Sequence, residues 1–202
     1  GRTMTESGFV ERPSALVRHG ESSATDPKPL YCVWEITLKC DLGCRHCGSR
    51  AGAERSVELT TAECLDVVRQ LDEIGFREVT LIGGEAYLRD DWDQIAAEIT
   101  RRGMACTMTT GGRALDGDRV SRAIDAGITS ISVSVDGLRR THDTQRGAPD
   151  SWRAAMDTCE RLAASSIRLT TNTQINRMSL PEIPALSQML LDIGSKAWQI
   201  QI

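Results

Sequence analysis

The sequence lacks several features that define whole classes of protein. Its 202 residues contain no apolar run near the roughly 18 residues of a membrane-spanning helix, and no apolar signal-peptide segment near the start. It also lacks an excess of positive charge, since a net charge of −4 and an isoelectric point near 5.5 give no general attraction to nucleic acid. These absences predict a cytoplasmic protein that binds neither membranes nor nucleic acid.

Cysteine, by contrast, is well represented. Seven cysteines without a secretory signal indicate a reducing compartment, in which thiols bind metals or take part in chemistry. No second Cys-x2-Cys pair and no His-x3-His pair is present to complete a zinc finger. Four of the cysteines are scattered and are predicted to serve as small apolar residues in strands and helices: Cys32, Cys64, Cys106 and Cys159.

The other three cysteines, Cys40, Cys44 and Cys47, lie in the stretch 37–50 with the spacing Cys-x3-Cys-x2-Cys. Three close thiolates can hold three irons of a [4Fe–4S] cluster and leave the fourth iron open to a ligand. Zinc held by the three thiolates and His46, or structural cysteines, are the alternatives. The spacing favours the cluster, because His46 and Cys47 are adjacent and point in different directions, and because three clustered cysteines cannot all pair as disulfides.

Strands and helices are predicted to alternate along the chain. Strands are expected at 31–37, 78–82, 105–110, 130–135, 168–175 and 197–202; helices are expected at 60–74, 90–102, 116–126, 151–165 and 179–193, with Thr60 and Ser151 as caps and a polar loop at 138–150. This order predicts an α/β fold with a parallel sheet, either open and doubly wound or a barrel. The cysteine loop and the glycine turns all follow strands, where such folds place their active sites.

The cysteine loop after a strand, with the aromatic His46 before the last cysteine, resembles the signature of radical S-adenosylmethionine (SAM) enzymes. The resemblance implies a partial (β/α)6 TIM-like barrel over residues 31–202, ending at its sixth strand. The sixth helix and any C-terminal auxiliary-cluster domain would be absent, which suggests the N-terminal part of a longer enzyme, because a bare sixth strand exposes an unpaired edge. Residues 1–3 look like a tag remnant and the polar segment to residue 30 like a loose arm.

Two glycine turns extend the resemblance. Gly83, Gly84 and Glu85 match the family's Gly-Gly-Glu motif, which binds the amino group of SAM, although Ala86 stands where proline is common. The turn at Thr110 lies where related enzymes often carry Thr-Asn-Gly. Because the asparagine is missing, its polar contact is either lost or taken by Thr110, and a plain turn without a ligand is the favoured alternative.

The run Ser-Val-Asp-Gly at 134–137, followed by His-Asp at 142–143 and Arg-Gly at 146–147, resembles radical SAM enzymes of the SPASM-containing and molybdenum-cofactor groups. By that resemblance Ser134 and Arg146 would hold the carboxylate or ribose of SAM, and His142 would only order its loop. Asn172 and Gln174 share one face of the fifth strand, where they could meet the nucleoside or serve a structural role.

The resemblance implies a [4Fe–4S] cluster and SAM as cofactors, with no catalytic side chain predicted beyond them. Electron transfer from an external flavodoxin- or ferredoxin-type donor would cleave SAM to a 5′-deoxyadenosyl radical that abstracts hydrogen from substrate. A ribosomal peptide or protein side chain is the expected substrate. A small molecule such as a cofactor precursor or a sugar is the alternative, and a non-catalytic iron–sulfur or zinc module is the alternative of a different class.

Overall fold

The structure is a computed structural model and describes residues 29–202. The predicted tag remnant and almost all of the predicted arm, residues 1–28, lie outside the described part. Six strands alternate with six helices and two short 3-10 turns. In order these are β1 Tyr31–Glu35, α1 Thr61–Ile74, β2 Glu78–Ile82, a 3-10 turn Ala86–Leu88, α2 Trp92–Arg101, β3 Ala105–Thr110, α3 Gly117–Asp125, β4 Ser130–Ser134, α4 Arg139–Arg146, α5 Ser151–Ala163, β5 Arg168–Gln174, a 3-10 turn Leu180–Glu182, α6 Ile183–Asp192 and β6 Trp198–Gln201.

The order of the strands decides between the two predicted architectures. All five neighbouring pairs are parallel, and the strands lie in the order β1-β2-β3-β4-β5-β6. A doubly wound sheet reverses direction at a switch point, whereas a barrel adds each strand next to the one before it. The sheet is therefore a curled half-barrel, and the predicted partial TIM-like barrel is confirmed.

The hydrophobic core lies between the outer face of the sheet and the helices. Strand residues of that face, such as Val79, Cys106 and Ile131, are fully buried and pack with Val68 of α1 and Ile95 of α2. The alternate residues of the same strands face the inside of the half-barrel and are mostly hydroxyl or amide side chains: Thr80, Thr107, Thr109, Ser130, Ser132, Ser134, Thr170, Asn172, Gln174, Gln199 and Gln201. A closed barrel fills this space with bulky apolar side chains; here it is polar and accessible.

The predicted start and end of α1 are confirmed. The Thr60 hydroxyl accepts from the backbone N–H of Glu63, 3.3 Å away, while the Glu63 carboxylate accepts from the Thr60 N–H at 2.8 Å, which forms a complete capping box. Gly75 ends the helix in the left-handed conformation, at φ +101°.

The predicted loop at 138–150 is wrong, because its first part forms α4. The buried face of α4 is made of polar residues, Thr141, His142, Gln145 and Arg146, so the apolar periodicity that reveals a helix is missing. The predicted cap of the next helix is also wrong. Ser151 is the first residue of α5, and its hydroxyl donates to Asp143, which also accepts from the Trp152 N–H at 2.7 Å.

Among residues 29–202, no helix has the length and apolar character needed to cross a membrane.

Candidate active site

The cysteine loop follows β1 and is held near its start and in its middle by backbone hydrogen bonds. Near its start the Cys40 N–H donates to Gly52 O at 2.9 Å. In its middle the N–H groups of Gly43 and Arg45 donate to the carbonyls of Arg146 and Gln145, 3.0 and 2.9 Å away. The last turn of α4, about a hundred residues further along the chain, therefore fixes the loop.

Two glycines at the end of β2 allow the sheet to approach this loop closely. A Cβ on Gly84 would lie 2.0 Å from the carbonyl oxygen of Lys39, and one on Gly83 would lie 2.7 Å from that of Thr37. The Gly84 and Glu85 N–H groups donate to these same two carbonyls at 3.0 and 2.8 Å. The space next to the glycines is thus filled by the cysteine loop itself, and this close approach requires glycine at both positions whether or not a ligand binds. The predicted contact of Gly83 and Gly84 with SAM stays a prediction.

Glu85 is a buried carboxylate, 2% exposed, at the carboxyl end of β2. It accepts from the Thr110 hydroxyl and from the Gly111 N–H, which lies 2.6 Å away. Burial raises the pKa of Glu85 to about 7, against the opposing effect of those two donors. Thr110 therefore orients Glu85, and its predicted contact with SAM stays a prediction.

Asp136 joins the cysteine loop to α4 and was missed by the sequence analysis as a site residue. Its side chain is fully buried, with Arg146 Nε at 2.8 Å and His46 Nε2 at 3.3 Å from Oδ2. The Arg146 pair is close but is not aligned as a hydrogen bond. Arg146 Nη1 donates to the Cys44 sulfur at 3.6 Å, and Asp136 Oδ1 accepts from the Gln174 N–H at 2.9 Å. The Asp-Gly pair in the matched run was the one signal that could have drawn attention to Asp136.

The remaining predicted residues form a row of amide and hydroxyl groups on β4 and β5. The Ser134 hydroxyl donates to Asn172 Oδ1 at 2.9 Å, and Asn172 Nδ2 donates to the Ser132 hydroxyl at 3.0 Å. His142 is buried, and the Asp136 N–H donates to its Nδ1 at 3.1 Å, as expected of a residue that orders the turn.

All twelve predicted site residues line one cavity of about 250 Å³ at the carboxyl ends of the strands. They are Cys40, Cys44, Cys47, His46, Gly83, Gly84, Glu85, Thr110, Ser134, Arg146, Asn172 and Gln174, and Asp136 and Gln201 join them. A larger cavity of about 550 Å³ lies toward the amino ends of the strands inside the half-barrel. It has hydroxyl groups but no cysteine, so the smaller cavity is the candidate active site.

The thiols test the choice between a cluster and zinc. In the described part of the chain Cys40, Asp41 and Glu85 place ligand atoms within 4.8 Å of one another, whereas the three thiols do not form such a group. Zinc–sulfur bonds of about 2.3 Å bring the thiolates of one ion to about 3.8 Å from each other. At least one pair of these thiols is therefore wider apart in this structure than the thiolates around one zinc ion.

His46 Nε2 lies 3.3 Å from Asp136 Oδ2. Burial raises the pKa of Cys40 to about 11 and also raises that of Cys44, although Arg146 opposes the shift at Cys44. These thiols are therefore protonated without metal and would release protons when a cluster binds.

Known proteins with similar sequence and structure were identified. The family model described as the radical SAM superfamily matches residues 34–182. An Fe-coproporphyrin III synthase of Methanosarcina barkeri is 30% identical over 194 residues, which are 91% of this chain and 48% of that protein. A PqqA peptide cyclase of Bradyrhizobium diazoefficiens is 28% identical over 187 residues, 92% of this chain and 49% of that protein.

The structural comparison shows the same fold. Streptococcus suis SuiB bound to S-adenosylmethionine superposes with a TM-score of 0.75 at 17% identity, over 85% of this chain and 40% of that one. The chain spans about half the length of the curated relatives it matches. The match to the family model extends over most of the described residues, and on that basis the chain belongs to the radical SAM superfamily, whose members use a [4Fe–4S] cluster and S-adenosylmethionine.

Proposed function

We propose that this chain forms the catalytic barrel of a radical SAM enzyme, with Cys40, Cys44 and Cys47 holding the cluster and the rest of the cavity holding SAM. When bound, these cofactors supply a 5′-deoxyadenosyl radical by one-electron cleavage of SAM, and that radical takes hydrogen from the substrate. The observation that carries the proposal is the convergence of three thiols and nine predicted SAM-site residues, from all along the chain, on one cavity.

Glu85 is proposed to receive the ammonium group of SAM. Its carboxylate is buried and pre-oriented by Thr110 and Gly111, so a cation beside it would find an acceptor that needs no rearrangement. An adjacent ammonium also favours the ionised form of a carboxyl whose pKa burial has raised to about 7.

Arg146 is proposed to stabilise the negative charge of the cysteine loop. Its Nη1 donates to the Cys44 sulfur and its Nε lies 2.8 Å from Asp136 in an ion pair, so the guanidinium already interacts with both groups. The bidentate carboxylate binding expected from the sequence would need a different side-chain arrangement.

Ser134, Asn172 and Gln174 are proposed to line the nucleoside part of the site, and His46 to keep Asp136 in place.

The proposed substrate is a ribosomal peptide or protein side chain. The inside of the half-barrel carries hydroxyl and amide groups along most of its length, which suits the alternating donors and acceptors of an extended peptide. A tetrapyrrole is the second candidate, because two of the relatives are named Fe-coproporphyrin III synthase and AdoMet-dependent heme synthase. Among the described residues lining the larger cavity Arg168 is the one cation, which fits a polycarboxylate less well.

The function is tested by reconstituting the protein with iron and sulfide under anaerobic conditions. EPR of the dithionite-reduced protein should give a [4Fe–4S] signal that changes on adding SAM, with 5′-deoxyadenosine as product. Cys44→Ala should abolish both, and Cys32→Ala, at a half-buried free cysteine on β1, should abolish neither. A cluster signal that ignores SAM, or bound zinc in place of iron, would indicate the non-catalytic module.

The substrate class is tested by deuterium transfer. Cells grown in deuterated medium provide a small-peptide fraction and a tetrapyrrole fraction, each of which is added with unlabelled SAM. Deuterium in 5′-deoxyadenosine from the peptide fraction alone supports the peptide proposal, and deuterium from the tetrapyrrole fraction alone supports the second candidate.

A further inference from the structure

Arg168 places a positive charge without a partner inside the half-barrel. It is the first residue of β5, its side chain is exposed, and it lines the larger cavity of about 550 Å³. Its hydrogen bonds belong to the backbone, where its N–H donates to Thr129 O at 3.0 Å and its carbonyl accepts from the Ser130 hydroxyl at 3.1 Å. Across residues 29–202, no carboxylate lies within 4 Å of its guanidinium. The charge is therefore available to a group that enters the cavity.

The polar groups on the facing wall of this cavity are paired with one another. Thr80 Oγ1 donates to the Tyr31 hydroxyl at 2.9 Å and lies 2.6 Å from Thr107 Oγ1, which donates to Glu78 Oε1 at 3.3 Å. Among the described residues Glu78 is the one carboxylate that lines the cavity, and it lies on β2, three strands away from Arg168 on β5. The cavity thus carries a negative charge on its β2 wall and a positive charge on its β5 wall, so an acidic group that binds here is directed to β5.

The larger cavity adjoins the candidate active site along the inside of the half-barrel, and Thr109 lines both. Alternate residues of β5 share this face, so Arg168 and Thr170 line the larger cavity while Asn172 and Gln174 line the candidate active site. At a rise of about 3.3 Å per residue, the backbone of Arg168 lies about 13 Å from that of Asn172. An extended peptide along the same face has a similar rise and spans this distance with about four residues.

We propose that Arg168 binds a carboxylate of the substrate peptide about four residues from the residue that loses hydrogen, an inference that rests on the proposed peptide substrate. A guanidinium can bind a carboxylate through two parallel N–H donors, which fixes the orientation of the bound group as well as its position. Arg168 therefore selects acidic peptides and determines which of their residues reaches the cavity of the thiols. An Asp or Glu side chain and a C-terminal carboxylate offer the same chemistry, and the test separates these two sources.

The test measures which short peptides the reconstituted protein binds in the presence of SAM. Pools of acetylated and amidated peptides have the same random mixture of small residues except at one central position, which is glutamate, glutamine or lysine, and the bound peptides are quantified by mass spectrometry. At low salt wild type should bind the glutamate pool about fivefold better than the glutamine pool, which is the upper range for an exposed ion pair. High salt should remove the preference, because the Debye length falls to about 3 Å at 1 M.

Charge changes inside the cavity provide the controls. Arg168→Gln should remove the preference for glutamate, and Arg168→Glu should reverse it in favour of the lysine pool, a reversal that a merely structural arginine would not give. Glu78→Gln removes the opposing charge and should strengthen the preference for glutamate. Arg77→Gln, at an exposed arginine that does not line the cavity, should leave the preference unchanged.

The outcomes of the pool experiment are distinct. Equal binding of the glutamate and glutamine pools by wild type overturns the proposal, as does the same loss of preference in Arg168→Gln and Arg77→Gln. A glutamine pool with free C-termini that binds as well as the amidated glutamate pool, and loses this binding in Arg168→Gln, assigns the carboxylate to the end of the peptide.

The spacing is tested with peptides that transfer deuterium to 5′-deoxyadenosine. Mass spectrometry should place the modified residue about four residues from an Asp, a Glu or the C-terminus, and a modified peptide without a carboxylate at that distance contradicts the assignment. Transfer from the tetrapyrrole fraction alone refutes the peptide substrate and this inference with it. If wild type forms no SAM-responsive cluster, the proposed function fails, and the same pools added to the metal-free protein still decide whether Arg168 binds a carboxylate.

Discussion

Replacing Asp136 by asparagine should destabilise the protein more than any exposed change of the same type. The substitution keeps the size of the side chain and the acceptor for the Gln174 N–H but removes a charge that is fully buried. Arg146, whose side chain is 10% exposed, loses its carboxylate partner, and an amide in place of Oδ2 would present hydrogens to the nitrogens of Arg146 and His46.

The magnitude follows from the geometry. Two unit charges 2.8 Å apart, with an effective dielectric constant near 20, attract by about 6 kcal/mol, and asparagine avoids part of the cost of burying an ion. Removing one partner of a buried pair costs about 3–5 kcal/mol in other proteins. Because Arg146 keeps its contact with the Cys44 sulfur, we expect a loss at the lower end, about 3 kcal/mol.

The measurement is urea unfolding of the metal-free protein under anaerobic, reducing conditions, followed by circular dichroism. Asp150→Asn is the matched control, because Asp150 pairs with Arg139 in an ion pair whose side chains are 68% and 63% exposed, and asparagine tolerates its positive φ of 59°. The control should cost less than about 1 kcal/mol. The reasoning is refuted if the two variants lose equal stability, or if a double-mutant cycle of Asp136→Asn with Arg146→Gln shows no coupling.

Three further predictions concern the same region. Gly84→Ala places a Cβ 2.0 Å from the Lys39 carbonyl and should cost about 3 kcal/mol in urea unfolding, whereas Gly117→Ala, where a Cβ meets nothing within 4 Å, should be neutral. Burial lowers the pKa of His142 to about 4, so between about pH 6.5 and 4 the unfolded chain binds a proton that the folded protein does not. The stability of wild type relative to His142→Gln should therefore fall by about 2 kcal/mol from pH 7 to pH 5. A difference in stability that stays constant with pH would contradict this assignment. Glu85 should give the opposite pH dependence of stability, because burial raises its pKa to about 7 and the folded protein keeps a proton that the unfolded chain releases. Wild type should therefore gain stability relative to Glu85→Gln as pH falls from 7 toward 4.5. Calorimetry should also show that the reconstituted Glu85→Gln variant no longer binds SAM.

The sequence was sufficient to predict most of the fold, because the strands are short runs with β-branched or aromatic residues and most helices are followed by a glycine. The exception, α4, buries polar residues such as His142 and Gln145, which hydrogen-bond rather than pack, and a pattern of apolar residues cannot reveal such a helix. The choice of barrel over open sheet needed the strand order, since both architectures have the same alternation of elements.

Which residues line the site was also predictable from the order of strands and helices. Parallel strands deliver whatever follows them to one edge, so the residues singled out after each strand meet in one cavity. What the residues do for each other was not predictable. Thr110 orients Glu85, Arg146 lies between Asp136 and Cys44, and Gly84 makes room for Lys39; each contact joins positions far apart in the chain, and no local pattern encodes it.

The backbone hydrogen bonds between the cysteine loop and α4 have a consequence for the order in which the protein folds during synthesis. Gly43 and Arg45 donate to carbonyls of residues that are synthesised about a hundred residues later. A Cβ on Gly147 would lie 2.2 Å from the Gly43 carbonyl oxygen, so the cysteine loop packs directly against the end of α4. A nascent chain that has emerged through β3 carries all three cysteines but lacks these two backbone hydrogen bonds to the cysteine loop. If the cysteines hold a cluster as proposed, we expect its insertion to follow the folding of β4 and α4.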